Sequence, residues 1–195
     1  MNNITFVILM IGLSFSYAVN GQSNNKYEKI WSSTDRLTES DFQLDIESSD
    51  SNPCFAQFSM NYSVTGLDFM TKNFNKKVEN IMYMNASWLN KNATDKQNFI
   101  RFQQILFDLS EVYARKFRKQ LLVNRKKITQ GIQIVEEINS QITKELTEER
   151  AQFQNESNGG RKIEVYDQWE KKIESELNAL MEFRHENSKK IKIEK

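Results

Sequence analysis

The sequence predicts an α+β fold, a small antiparallel sheet followed by three long amphipathic helices. Residues 55–65 give the first reason: Ala56, Phe58, Met60, Tyr62 and Val64 alternate with Gln57, Ser59, Asn61, Ser63 and Thr65. A period of two places one set on a covered face and the other in water, as in a half-buried strand. Further along, the period lengthens to three and four. Phe99, Phe102, Leu106, Leu109, Tyr113 and Phe117 form one such stripe, and Ile128, Ile132, Val135, Ile138, Ile142 and Leu146 a second. Ile163, Tyr166, Trp169, Ile173, Leu177 and Leu180 form a third, each stripe lying along one side of a helix. Finally, one proline and six glycines among 195 residues leave few tight turns, so the elements are expected to be long.

In chain order, residues 1–21 read as a secretory signal peptide. An apolar run over residues 4–15 precedes Ser16, Ala18, Asn20 and Gly21, although no Lys or Arg stands before it. Cleavage is expected after Ala18 or Gly21, and we prefer the second, which leaves Gln22 as the new terminus. The apolar run is shorter than the roughly 20 residues a membrane span needs. The protein is therefore expected to be exported, to a periplasm or the extracellular space. Residues 22–54 are polar and acidic and are expected to form an irregular arm, pinned by Trp31, Leu37 and Phe42.

A single α+β domain is expected over residues 55–183. After the first strand, others are expected over 69–74 and 78–86, with turns at 66–68 and 75–77 closing an antiparallel meander. Thr94 suits the N-cap of the first helix, which is strongest over residues 101–119. The second helix should run to about residue 153 and break at residues 155–160, with Trp169 anchoring the third. Residues 184–195 read as a charged, flexible tail.

Composition excludes more than it assigns. The net charge is +1 with 27% charged residues, and residues 1–21 carry no charged side chain, so their removal changes nothing. This is an ordinary solvated surface, with nothing that selects nucleic acid or lipid. The run Arg115, Lys116, Arg118, Lys119, Arg125, Lys126 and Lys127 reads as cations complementing a helix C-terminus, without aromatic interleaving for bases. Cys54 is the sole cysteine, which rules out an internal disulfide, and His185, the sole histidine, sits in the tail. Residues 158–160 lack the Lys and Ser/Thr of a phosphate loop. The sequons at Asn61, Asn85 and Asn92 would matter only in a eukaryotic secretory route.

Residues 107–118, FDLSEVYARKFR, resemble the run that follows H-E-x-x-H in a family of secreted bacterial proteins, domain-of-unknown-function family 922. Its wording is close to H-E-Q-x-H-F-D-[LI]-x-E-x-Y-A-R-[KR]-x-R. Laid over this chain, the two histidines fall on Phe102 and Leu106 and the glutamate on Gln103, while Gln104 matches. Residues 37–43, LTESDFQ, resemble an L-T-[W]-x-D-F segment of the same family. Residues 153–160 lie over its Y-D-x-E-T-x-H-G segment, with Gly159 where the family has a histidine.

The resemblance implies a zincin-like arrangement whose metal motif is lost. Two histidines a turn apart can grip one zinc while the adjacent glutamate takes a proton from its water. Phenylalanine and leucine have no lone pair to give, and the Gln103 amide does not titrate in the useful range. On pattern alone Phe102 and Leu106 are core residues, each stabilising by about 1.5–3 kcal/mol when buried. We therefore expect no catalytic residue, no metal and no cofactor, and a non-catalytic protein that acts by binding another protein or as a structural module. Asp108, Glu111, Tyr113 and Arg115 would then be contacts or internal support. Two alternatives remain: a hydrolase with a relocated metal on Asp108, Glu111 and Glu145, and a helical adaptor that self-associates through the stripe at residues 128–146.

Overall fold

The computed structural model describes residues 26–46, 53–65, 68, 74–131 and 133–191. The expected signal peptide, the strand expected over residues 69–73 and the turn at 66–67 lie outside them. The fold is mixed α+β. Strands β1 (Glu28–Ile30), β2 (Cys54–Tyr62) and β3 (Val78–Leu89) form one antiparallel sheet in the order β1-β3-β2. Four helices follow: α1 (Lys96–Val123), α2 (Arg125–Ile128), α3 (Gln133–Glu156) and α4 (Tyr166–Ala179).

The alternating segment forms β2 as expected, paired with β3 from Cys54↔Leu89 to Tyr62↔Val78. The register shifts after Phe55, where β3 carries extra residues. Ser87 repairs the ladder there: its hydroxyl accepts from Gln57 N (2.9 Å) and donates to Tyr83 O (2.7 Å). A bulge of this kind bends the strand and frees backbone groups for other partners. Gln43 N and Leu44 N take two of them, the carbonyls of Met84 and Ser87. Phe74 belongs to a 3-10 turn, Phe74–Lys77, not to a strand.

Two stretches expected to be irregular carry structure. The N-terminal arm contributes β1, which lines the free edge of β3, and buries Trp31 and Leu37 against Ala56, Met82, Ile100 and Phe107. Of the stretch expected to be a flexible tail, residues 184–191 are described and pack on the domain: Asn187 is buried, Asn75 donates to its carbonyl (3.5 Å), and Ile191 rests on the main core. His185 is accordingly not free on the surface, and its Nε2 lies 3.8 Å from Glu79 of β3.

The N-cap of α1 is Asp95, one residue later than the expected Thr94. The helix departs further from expectation in its surroundings. All residues from 102 to 115 are buried, not one stripe alone, because sheet, arm, α3 and α4 each cover part of it. Nineteen of its residues are buried, including Gln103, Gln104, Asp108, Ser110, Glu111, Arg115 and Arg118. Buried polar groups need partners, and these partners hold the rest of the chain in place.

Helices α3 and α4 lie antiparallel across α1. Phe153 contacts the rings of Tyr166 and Trp169, Glu156 accepts from Trp169 Nε1 (2.7 Å), and Glu149 pairs with Lys172. The turn between them needs three successive left-handed residues, Asn158 (φ 50°), Gly159 (φ 63°) and Gly160 (φ 90°). Glycine reaches that region without a steric penalty, which is why two stand together here.

Candidate functional site

The positions carrying the metallopeptidase resemblance lie at the junction of α1, α3 and the turn before α4. Phe102 and Leu106, one turn apart on α1, are both buried. The Phe102 ring stacks on Phe153 of α3 with centroids 5.2 Å apart. Below it lies Gly160, where an added Cβ would stand 3.0 Å from Phe102 Cγ. The Tyr166 hydroxyl donates to the Gly160 carbonyl (2.8 Å) and fixes the turn against the ring. Gln103 is buried on another side of α1, with the Cys54 thiol as a hydrogen-bond neighbour. Burial pushes that thiol up to about 12, so it does not ionise near neutrality and is a poor nucleophile.

Gly159 does not join this junction. It is exposed, and the residue facing Phe102 is its successor, Gly160. The two glycines therefore predict different outcomes on mutation. Gly159→Ala meets only backbone strain and should cost about 1 kcal/mol, whereas Gly160→Ala adds a collision with an aromatic ring and should cost about 2–3 kcal/mol. Chemical denaturation measures both, and Phe102→Ala should relieve only the second.

The four candidate binding residues are internal supports. Asp108 accepts from Trp31 Nε1 (2.8 Å), Gln104 Nε2 (2.8 Å) and both terminal nitrogens of Arg36 (3.0 and 2.7 Å). Burial raises its pKa, and Arg36, Trp31 and Gln104 oppose the rise without cancelling it. Gln104 also accepts from Leu37 N (2.7 Å), so two side chains of α1 dock the arm. Glu111, 1% exposed, accepts from Arg115 Nε (3.0 Å) and Arg118 (2.9 Å). Arg118, fully buried, also donates twice to Val78 O and once to Phe183 O, and Arg115 donates to Leu177 O (2.7 Å).

Arg115 and Arg118 are thus not part of a solvated basic face. The compensating acid is Glu111, one and two turns earlier on the helix. That spacing was the available signal in the sequence, and a count of like charges alone misses it.

Tyr113 donates to Glu149 Oε2 (2.7 Å). Burial, then the Glu149 charge, raises the Tyr113 pKa, so it stays a neutral donor. For Glu149 burial acts upward but is outweighed by Lys172 and Tyr113, which hold its carboxyl below the ordinary glutamate value. A lowered folded-state pKa means stability that is present above the unfolded value and lost as pH falls through the folded one. Glu149→Gln should therefore lower thermal stability at neutral pH and flatten its fall on the acid side of pH 4.5, so that the two proteins converge at low pH, as melting curves across pH would measure.

The relocated metal set does not converge. Asp108 faces the arm, Glu111 faces Arg115 and Arg118, and Glu145 lies on α3 beside Gln141. Among the described residues no group of three His, Cys, Asp or Glu side chains is placed to hold a metal ion. The self-association stripe is also largely used within the chain: Ile128, Val135, Ile142 and Leu146 belong to its own core. No helix among the described residues is long and apolar enough to cross a membrane. Compared with protein-family models, with curated proteins and with solved structures, the chain matches none.

Proposed function

We propose that this chain is an exported, non-catalytic relative of zincin-type metallopeptidases that acts by binding. One observation carries the reading. The two positions at which the resemblance puts metal-binding histidines hold Phe102, stacked on Phe153 and pressed against Gly160, and Leu106, buried in the same core. These residues do not fit a zinc ion, since neither offers a donor atom and Phe102 lies so close to Gly160 that even a methyl group there would have to displace the ring. The zincin-like arrangement is part of the same proposal, supported by a helix with this motif packed against a preceding antiparallel sheet. The retained residues Asp108, Glu111 and Arg115 act in it as supports that keep arm, sheet and helices on α1.

The test is metal analysis of the purified protein with a peptidase assay in the presence and absence of chelator. We expect well under one zinc per chain, no chelator-sensitive cleavage of casein, and an unchanged Tm on chelation. Stoichiometric zinc together with cleavage that chelation abolishes would overturn the reading. Export is tested separately by N-terminal sequencing of the protein from a secreting host, with Gln22 expected as the first residue.

A further inference from the structure

On the far side of α1 from the sheet, α3 and α4 part beyond the Glu149–Lys172 pair and leave a trough of about 660 Å³. Its floor is the Lys116, Lys119 and Gln120 face of α1. Its walls are Ile134, Ile138 and Ile142 of α3 and Ala179 and Leu180 at the end of α4. Ile134 and Ile138 are only partly covered by the chain's own core, so the apolar strip continues into the trough. Outside the lining, Val123, one turn beyond Lys119 and Gln120, and Met181, next to Leu180, are exposed large apolar side chains, at 50% and 45%.

The charges at the mouth lean to one sign. Glu137, Glu145 and Glu176 line it, against Lys116 and Lys119. Glu176 and Lys116 neutralise each other (2.7 Å), and Lys116 is further held over the Tyr113 ring. That leaves Glu137 and Glu145 facing Lys119. The two acids stand two turns apart on α3, about 12 Å along the helix axis.

We infer that the trough is a docking site for a basic amphipathic helix of a partner protein. A trough between two helices presents an apolar strip that an incoming helix can match with side chains at positions i, i+3, i+4 and i+7. Lysines or arginines flanking that apolar face, two turns apart, meet Glu137 and Glu145. A second copy of this chain fits less well, because its α3 would bring the same two acids against their counterparts. The inference deepens the reading of the chain as a binding protein and stands apart from the closed junction at Phe102, since the two sites share no residue.

The experiment uses the full chain and fluorescein-labelled peptides of about 18 residues, five turns of helix. One peptide carries leucines at helical spacing flanked by lysines, one is its scrambled isomer, and one has glutamate in place of lysine. Fluorescence anisotropy should give a micromolar Kd for the first and affinities at least about tenfold weaker for the other two. Ile138→Asp and Ala179→Arg should each weaken the first peptide about tenfold, and Glu137→Gln with Glu145→Gln should weaken it and flatten its salt dependence. Ala179 is exposed, so its variant retains the fold, as circular dichroism will verify. Equal binding of the scrambled peptide, affinity unmoved by both trough variants, or no binding at about millimolar peptide overturns the inference. So does a dimer by light scattering that Ile138→Asp converts to monomer, which would make the trough a self-interface. None of these outcomes bears on the zinc measurement, so failure here is distinguishable from failure of the metal-free reading.

Discussion

Replacing Glu111 with alanine is expected to remove about 3–5 kcal/mol of folding stability, a large share of the total for a single domain. The carboxylate is the only acid paired with Arg115 and Arg118 among the described residues, and both guanidinium groups are buried beside it. Without it, two cations remain in a low-dielectric interior with carbonyls as their nearest partners. The loss would appear as a lower urea midpoint at unchanged slope. Removing one of the two cations together with the shared counterion should be less harmful than removing the counterion alone. Glu111→Met combined with Arg118→Met is expected to recover part of the loss, although the Val78 and Phe183 carbonyls then lack donors. If Glu111→Ala moved the midpoint by no more than an exposed helical substitution does, the claim that this triad clamps the fold would be wrong.

Truncating Phe153 should be comparably damaging, at about 3–5 kcal/mol. Its side chain is fully buried and touches the rings of Phe102, Tyr166 and Trp169, so it joins α1, α3 and α4 at one point. Phe153→Ala would leave a cavity bounded by rigid rings that cannot collapse to fill it. Phe153→Leu should recover more than half of the loss, because it restores most of the volume. Thermal and urea denaturation of the three proteins would decide it. A loss below about 1 kcal/mol for the alanine variant would mean that the junction is loosely packed, and would remove the main support for a closed, metal-free motif.

Much of the fold was legible from periodicity, and the misses share a cause. The alternation over residues 55–65 and the three helical stripes correspond to β2, α1, α3 and α4. Strand β1 was not legible, because three residues, Glu28–Ile30, are too few to show a period and pair only once β3 exists as a template. The apolar stripe of α1 gave its core face and said nothing of its polar side. Asp108, Glu111 and Arg118 look like surface residues until distant segments supply Arg36, Val78 and Phe183 as partners. The choice between Gly159 and Gly160 depends on the direction of the turn, which a loose eight-residue match cannot fix. The trough between α3 and α4 was equally hidden, since an isoleucine stripe reads the same whether its outer edge meets core or solvent.

The way Arg118 is held limits how far the molecule can be trimmed. Its guanidinium joins the start of β3 to the segment that follows α4, while Asp108 joins the same helix to Trp31 and Arg36 near the opposite end. A shortened version ending before Phe183 would expose apolar surface and take one acceptor from the buried Arg118, and one beginning after Arg36 would leave the buried Asp108 without its cation. The autonomous folding unit must span both attachments, and limited proteolysis should nick outside that span before it cuts within.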